Sequence, residues 1–176
     1  SVFDRLYRRF SNGSKDQQST FLSFVTLARY ELETAADSYK GGFVLPDSIM
    51  KQLPSKGDYL EIAMGPGDNL RAITEKLKPY SITGTDISNG MVQKASNIDY
   101  KGGSLFFRAD AQYLPVIDEQ YDVVMMFNML DRVPNTKQAL KEASRVLKEG
   151  GKLVVGNCIP LQNEKEVEGG TILTYV

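Results

Sequence analysis

The sequence predicts an α/β fold, a doubly wound, mostly parallel sheet, and two patterns support this fold class. From residue 57 onward, short apolar segments alternate with segments whose apolar residues recur every three or four positions. Such alternation is typical of parallel strands joined by right-handed helical crossovers. In addition, glycines and acidic residues stand directly after the predicted strands. Ligands of open α/β sheets bind beyond the carboxyl ends of the strands, so we expect the functional site there.

The first 45 residues differ from the rest of the chain in the spacing of their apolar residues. We expect residues 1–45 to form a helical cap or lid over an α/β domain of residues 46–176. Apolar residues from Val2 to Phe10 fall at helical spacing, and a second helix is predicted from about Asp16 to Tyr39.

The remainder of the chain predicts five strands and three helices. Ser88 and Asn135 are the expected N-caps of two helices, with Gln138 at the capping-box position of the last one. The strand at 121–127 is apolar along most of its length, as expected for a strand covered on both faces. In order, the elements are strand 58–64, helix 69–77, strand 81–85, helix 88–97, strand 105–108, strand 121–127, helix 136–148, which Gly150-Gly151 closes, and strand 152–156.

The composition excludes several classes of function. Lys plus Arg number 21 and Asp plus Glu number 22, so a bulk attraction for nucleic acid is not expected. The absence of histidine and the single cysteine, Cys158, exclude Ser-His or Cys-His catalysis, His-ligated metals and an intrachain disulfide. No apolar run is long enough to span a membrane, so we expect a cytoplasmic protein without a membrane partner.

Three strand ends carry residues suited to a nucleoside ligand. Gly65 and Gly67 allow the backbone to approach a ligand at a helix N-terminus, although a plain strand-to-helix turn has the same residues. Asp86 is placed to accept hydrogen bonds from ribose hydroxyls, or else to cap the following helix. Asp110 is placed to accept a bond from an adenine amine, or is a solvated loop aspartate. The three features together, in register, favour the nucleoside.

Two common nucleotide motifs are excluded. Leu70 stands where a dinucleotide-binding loop has its third glycine, and the chain has no P-loop sequence. Residues 58–70 also contain no Lys or Arg to pair with a phosphate.

As an ordered set, the motifs resemble those of the class I S-adenosylmethionine-dependent methyltransferases, especially the branch that methylates small molecules. The segments LEIAMGPGDNL, GTDISNGMVQKA, RADAQYLP, YDVVMMFNMLDRV and ALKEASRVLKEGGKLVV carry the resemblance, which spans about residues 57–157. It implies a Rossmann-like fold, S-adenosylmethionine as cofactor and S-adenosylhomocysteine as product. The cofactor-binding positions that it implies are Glu61, Ala63, Gly65, Gly67, Asp86, Ile87, Met91, Asp110, Ala111 and Asn128.

The chain departs from the family pattern at three places. Ala63 replaces the first glycine of the glycine-rich motif, which cofactor binding should tolerate unless that residue needs a positive φ. Asp131-Arg132 stands where the family often has histidines. The C-terminal end of the sheet is expected to be shortened, with a small hairpin about Gly169-Gly170 or a disordered tail.

Because the chain has no histidine, Asp131 is the candidate catalytic group. A structural role for Asp131, as the ion-pair partner of Arg132 or as a cap on the following loop, explains its presence equally well. Tyr7, Tyr30 and Tyr39 are candidate substrate contacts, although most aromatic residues of the cap are expected to pack on the sheet. The sequence thus predicts a metal-independent enzyme that methylates a small, partly apolar molecule and forms, as one option, a homodimer. The alternatives are a catalytically silent cofactor-binding module or partner subunit, and a protein or RNA methyltransferase that recruits its substrate through another subunit.

Overall fold

A computed structural model describes residues 45–130, 132–156 and 171–174 of the chain. The predicted cap helices, Asp131, Tyr7, Tyr30 and Tyr39 lie outside these residues. The described elements are α1 (Asp47–Met50), β1 (Asp58–Ile62), α2 (Asp68–Lys76), β2 (Ser81–Asp86), α3 (Asn89–Ser96), β3 (Gly103–Arg108), β4 (Tyr121–Phe127), α4 (Thr136–Val146), β5 (Leu147–Gly156) and β6 (Thr171–Thr174).

The strands form one sheet in the order β3-β2-β1-β4-β5-β6. Strands β1 to β5 are parallel, and β6 pairs antiparallel with β5, so the predicted doubly wound, mostly parallel sheet is confirmed. The chain first adds strands on one side of β1 and then crosses to β4 on its other side. The carboxyl ends of β1 and β4 therefore flank the topological switch point, where this class of sheet binds its ligands.

Apolar residues cover both faces of the sheet. One cluster joins Tyr59, Val123 and Met125 of the sheet to Leu70 and Ile73 of α2. A second cluster covers the opposite face, and its principal members are Leu60, Ile62, Val124, Met126, Ala139, Ala143 and Val146. Alternate residues of β1 and β4 thus enter different clusters, because successive side chains of a strand point to opposite faces. Burial on both faces explains why β4 lacks polar alternation.

Two predicted boundaries are wrong at the junction of α4 and β5. The helix ends at Val146, and Leu147 already pairs with Tyr121 of β4, so the predicted helix 136–148 is two residues too long. The apolar spacing continues to Leu147, but its backbone belongs to the strand. Gly150 and Gly151 then lie inside β5, where the register between β4 and β5 shifts, rather than at the end of the helix.

Strand β6 extends the sheet beyond β5. Residues 171–174 pair with β5, so that Thr171 lies opposite Val155 and Thr174 opposite Lys152. Strand β5 is therefore one partner of β6, whereas residues 164–170, which the sequence places in the predicted hairpin, lie outside the described part of the chain.

Candidate functional site

The loop between β1 and α2 turns through an uncommon backbone conformation. Ala63, Gly65 and Gly67 have φ angles of 59°, 57° and 88°, all in the left-handed region. Glycine adopts such angles at little cost, whereas alanine there is strained by on the order of 1–3 kcal/mol. Ala63 thus meets the exception named for this substitution, because its backbone does have a positive φ, and the expectation that alanine is tolerated here without cost is not supported.

Asp86, at the end of β2, holds this loop against the next one. Its Oδ2 accepts a hydrogen bond from the backbone N–H of Gly65 at 2.9 Å, and its Oδ1 accepts one from Ser88 N–H at 2.9 Å. The residue is 6% exposed, and burial raises its pKa, although the N–H groups of Ser88 and Gly65 oppose the rise. The N–H of Ile87 also acts on this carboxylate, which has about four lone-pair sites and so retains acceptor capacity for a ligand hydroxyl.

Glu61 lies in β1, beneath the glycine-containing loop, and is 1% exposed. Its Oε1 accepts a hydrogen bond from Asn69 Nδ2 at 2.7 Å, while Oε2 has no hydrogen-bond partner in the described structure. Burial raises the pKa of Glu61 to about 8; the bond from Asn69 opposes this shift, and the carboxylates of Asp86 and Asp68 add to it. A buried carboxyl oxygen without a partner is costly and marks a place where a ligand group can bind.

The start of α3 has the predicted cap. Ser88 Oγ accepts a hydrogen bond from Met91 N–H at 3.4 Å, and both residues are buried. Ile87, partly exposed between Asp86 and this cap, accepts a bond from Arg108 Nε through its carbonyl oxygen at 3.0 Å. Ile87 therefore lies in the loop that begins at Asp86, and Met91 lies in the first turn of α3.

Asp110 and Ala111 follow β3, and a residue that the sequence analysis missed, Gln112, holds this segment in place. Gln112 is 1% exposed, and its Nε2 donates to both carboxylate oxygens of Asp110 at 3.1 Å. Its Oε1 accepts from Asn135 N–H at 3.1 Å, and its backbone oxygen accepts from Gln138 Nε2 at 3.1 Å. One half of the predicted capping box is wrong. Asn135 Oδ1 accepts from Gln138 N–H at 3.0 Å as expected, but Asn135 N–H donates to Gln112 Oε1 and not to the side chain of Gln138. No local sequence pattern reveals a contact across 23 residues.

Asn128 completes the rim of the site at the end of β4. Its φ is 51°, and its N–H donates to Gly156 O at 2.8 Å. Because Ile62 pairs with Met126, the two left-handed residues Ala63 and Asn128 follow neighbouring strands at the same edge.

The structure brings the described site candidates together at the carboxyl edge of the sheet. The register of β1, β2, β3 and β4 places the segments that begin at Ala63, Ile87, Ala109 and Asn128 side by side, and Ala109 N–H donates to Asp86 O at 3.0 Å. Asp131, Tyr7, Tyr30 and Tyr39 lie outside the described residues, so their roles stay predictions.

The opposite edge of the sheet carries a separate charge cluster. Lys148 Nζ contacts Asp122 Oδ2 at 2.9 Å and Asp58 Oδ2 at 3.2 Å, and Asp58 N–H donates to Asp122 at 2.7 Å. Asp122 therefore supports the starts of β1 and β4 and lies away from the site. Across the described ranges, no three acidic or cysteine side chains are grouped so as to hold a metal ion, and no helix there is long and apolar enough to cross a membrane.

Residues 60–155, more than half of the chain, match the model of a family described as a methyltransferase domain. The chain is 30% identical over 129 residues to the ubiquinone/menaquinone biosynthesis C-methyltransferase UbiE of Rickettsia peacockii, which covers 68% of this chain and 51% of that protein. It is 33% identical over 120 residues to the 27-O-demethylrifamycin SV methyltransferase of Amycolatopsis mediterranei, covering 64% of this chain and 43% of that protein.

Solved structures give the same result for the fold. A crystal structure from Methanosarcina mazei, titled as an S-adenosylmethionine-dependent methyltransferase, superposes with a TM-score of 0.57 at 27% identity, covering 64% of this chain and 57% of that one. The chain spans about half the length of the curated relatives it matches.

Proposed function

Because this chain belongs to the methyltransferase domain family, we propose that it transfers a methyl group from S-adenosylmethionine to a small molecule. The family and its solved relatives imply S-adenosylmethionine as the cofactor. The single observation that carries the proposal is the convergence of the Ala63–Gly67 loop, Asp86 and the unpartnered Glu61 Oε2 at one sheet edge.

The residues present fit this cofactor. Asp86 retains acceptor capacity for ribose hydroxyls, and the left-handed turns at Gly65 and Gly67 let the backbone come close to a ligand. Asp110, held by Gln112, lies at the end of β3, next to β2 in the sheet, as an acceptor for the adenine amine needs to be. The buried Glu61 offers an oxygen to a positively charged group.

S-adenosylmethionine, when bound, supplies a methyl group that is already activated on a sulfonium centre. The protein's task is therefore alignment of the acceptor with the sulfur–methyl bond for an in-line displacement, and positioning of this kind contributes on the order of 7–11 kcal/mol. A general base is needed only if the acceptor must lose a proton, and Asp131 is our candidate for that role. We expect the reaction to proceed without a metal ion.

The acceptor pocket is proposed to involve residues 1–45 as a lid over the domain of residues 46–176. Leu45, the first described residue, donates its N–H to Asn69 Oδ1 at 2.8 Å, and Asn69 in turn binds Glu61. The preceding 44 residues therefore join the domain directly beside the proposed cofactor site. Tyr7, Tyr30 and Tyr39 are the proposed substrate contacts in this segment.

Calorimetry and a transfer assay test the proposal. The full chain should bind S-adenosylhomocysteine at about micromolar affinity and should not bind NAD. Radiolabelled S-adenosylmethionine should then label at least one member of a panel of ubiquinone and menaquinone precursors and demethylated rifamycins, because the names of two relatives mention these compounds. Binding of NAD without S-adenosylhomocysteine would refute the proposal, and binding without transfer to any acceptor would favour a silent binding module.

Removal of residues 1–13 tests the lid. The truncated chain should retain its affinity for S-adenosylhomocysteine within a few fold and lose methyl transfer, because the lid excludes water and holds the acceptor. If the truncated chain instead melts at a clearly lower temperature, or turns over normally, residues 1–13 are a packed helix and not a lid.

A further inference from the structure

Three backbone N–H groups of the loop that follows Glu61 are already committed to other acceptors. The N–H groups of Met64, Gly65 and Gly67 donate to Thr85 O, Asp86 Oδ2 and Met64 O, respectively. The side-chain amide of Asn69 is held in one orientation, because its Oδ1 accepts from Leu45 N–H and its Nδ2 donates to Glu61 Oε1. Oε2 therefore remains without a partner at 1% exposure of the residue.

No cation offsets a charge on Glu61 among the described residues that act on it. Asp86 faces it from the end of β2 and Asp68 from the first turn of α2, and both are acids. Tyr100, from the segment between α3 and β3, faces it with a buried hydroxyl that also has no described partner. The cation Arg71 lies on the exposed side of α2, 3.7 Å from Asp68.

A buried carboxylate with one hydrogen bond and two acidic neighbours is unfavourable, and such a group binds a proton instead. We propose that Glu61 is a neutral carboxylic acid in the free protein, and that it releases its proton when a positively charged group of the ligand binds against Oε2. This inference rests on the proposed function, whose cofactor carries an ammonium group on its amino-acid portion. Ligand binding is thereby linked to pH through one residue.

Calorimetry of the full chain in two buffers of different ionisation enthalpy measures the linkage. At pH 7, S-adenosylhomocysteine should release close to one proton, and its affinity should rise roughly tenfold to fiftyfold between pH 6 and pH 8 as the competent, ionised fraction of Glu61 grows. Methylthioadenosine, which shares the nucleoside and lacks the amino-acid portion, should release none. In Glu61→Gln the affinity for S-adenosylhomocysteine should be weaker and should vary far less with pH.

The free protein offers an independent readout. Folding raises the pKa of Glu61 above its ordinary value, so its contribution to stability is complete below pH 4.5 and is lost as the pH rises through about 8. The melting temperature of Glu61→Gln should therefore rise relative to that of the wild type between pH 5 and pH 8.5. Glu75→Gln, an exposed substitution on α2, is the matched control and should show a constant difference.

The outcomes separate this inference from the proposed function. If S-adenosylhomocysteine binds the wild type without proton release, or if release persists in Glu61→Gln, the proton linkage is wrong and the function stands. A melting-temperature difference that is constant with pH would show Glu61 to be ionised in the free protein and would overturn the inference. No binding of S-adenosylhomocysteine to the wild type overturns both.

Discussion

Gly65 N–H donates to Asp86 Oδ2 at 2.9 Å and so ties the loop after β1 to the end of β2. The same carboxylate accepts from Ser88 N–H, so Asp86 is both a loop bridge and a support for the start of α3. The two interpretations of Asp86 offered by the sequence, ribose acceptor and cap near a helix N-terminus, are therefore compatible. A ligand that uses this carboxylate meets an acceptor already fixed in place, which reduces the cost of ordering it.

Asp86→Asn should weaken the binding of S-adenosylhomocysteine at least tenfold. Charge-assisted hydrogen bonds contribute roughly 1.5–3 kcal/mol, and about 1.4 kcal/mol corresponds to tenfold in affinity. The amide keeps one acceptor oxygen but places its NH2 against the backbone N–H that the other oxygen accepted, so we expect a folded domain with a lower melting temperature. Calorimetry and a melting curve measure the two effects, with the exposed Glu75→Ala as control. If the affinity is unchanged, Asp86 does not bind the ligand and only supports the two loops.

Ala63→Gly should raise stability by about 0.5–1 kcal/mol. At a φ of 59° glycine relieves the strain of alanine, and this gain exceeds the entropy that glycine adds to the unfolded chain. Denaturant unfolding measures the change. Ala72→Gly in the middle of α2 is the matched control and should instead destabilise by a similar amount, because that residue is helical. Destabilisation by both substitutions would contradict the left-handed conformation at Ala63.

Gly67→Ala should destabilise the domain more than Gly150→Ala. Both glycines have positive φ angles, 88° and 71°, so both substitutions carry backbone strain of on the order of 1 kcal/mol. A Cβ at Gly67 would also clash with the Tyr100 hydroxyl oxygen, whereas one at Gly150 meets nothing within 4 Å. The difference between the losses of unfolding free energy in Gly67→Ala and Gly150→Ala measures the cost of this contact. In a Tyr100→Phe background, which lacks the hydroxyl, this difference should become smaller. Equal losses at the two positions would argue against the close approach of Tyr100.

Glu142→Gln should flatten the acid limb of the stability curve. Hydrogen bonds from Arg145 hold the pKa of Glu142 below its ordinary value, although burial opposes the shift. A depressed pKa adds stability that is present above about pH 4.5 and is lost as the pH falls through the folded-state value. The wild type should therefore lose stability on acidification more steeply than the variant, as urea unfolding between pH 3 and pH 6 will measure. Parallel curves would show that Arg145 does not stabilise the ionised form.

The order of strands and helices follows from the sequence alone, because it depends on local apolar spacing and on caps that act within one turn. The positions of β1, α2, β2, α3 and β4 agree with the predicted elements to within a few residues. The cap at Ser88 needs only the N–H of Met91, three residues later, so its signal is local as well.

Contacts between distant segments decided the rest. Leu147 keeps the helical spacing of α4, yet its backbone pairs with Tyr121, because the ladder with β4 satisfies the strand's hydrogen bonds. Gln112 is a polar residue without a local motif, and only the fold brings it to Asn135. The unpartnered Oε2 of Glu61 likewise depends on a distant contact. Leu45, 24 residues before Asn69, fixes the side-chain amide of Asn69, which donates to Oε1 of Glu61 and not to Oε2. Sequence thus determined which residues reach the sheet edge, and tertiary packing determined which of their polar atoms are already satisfied.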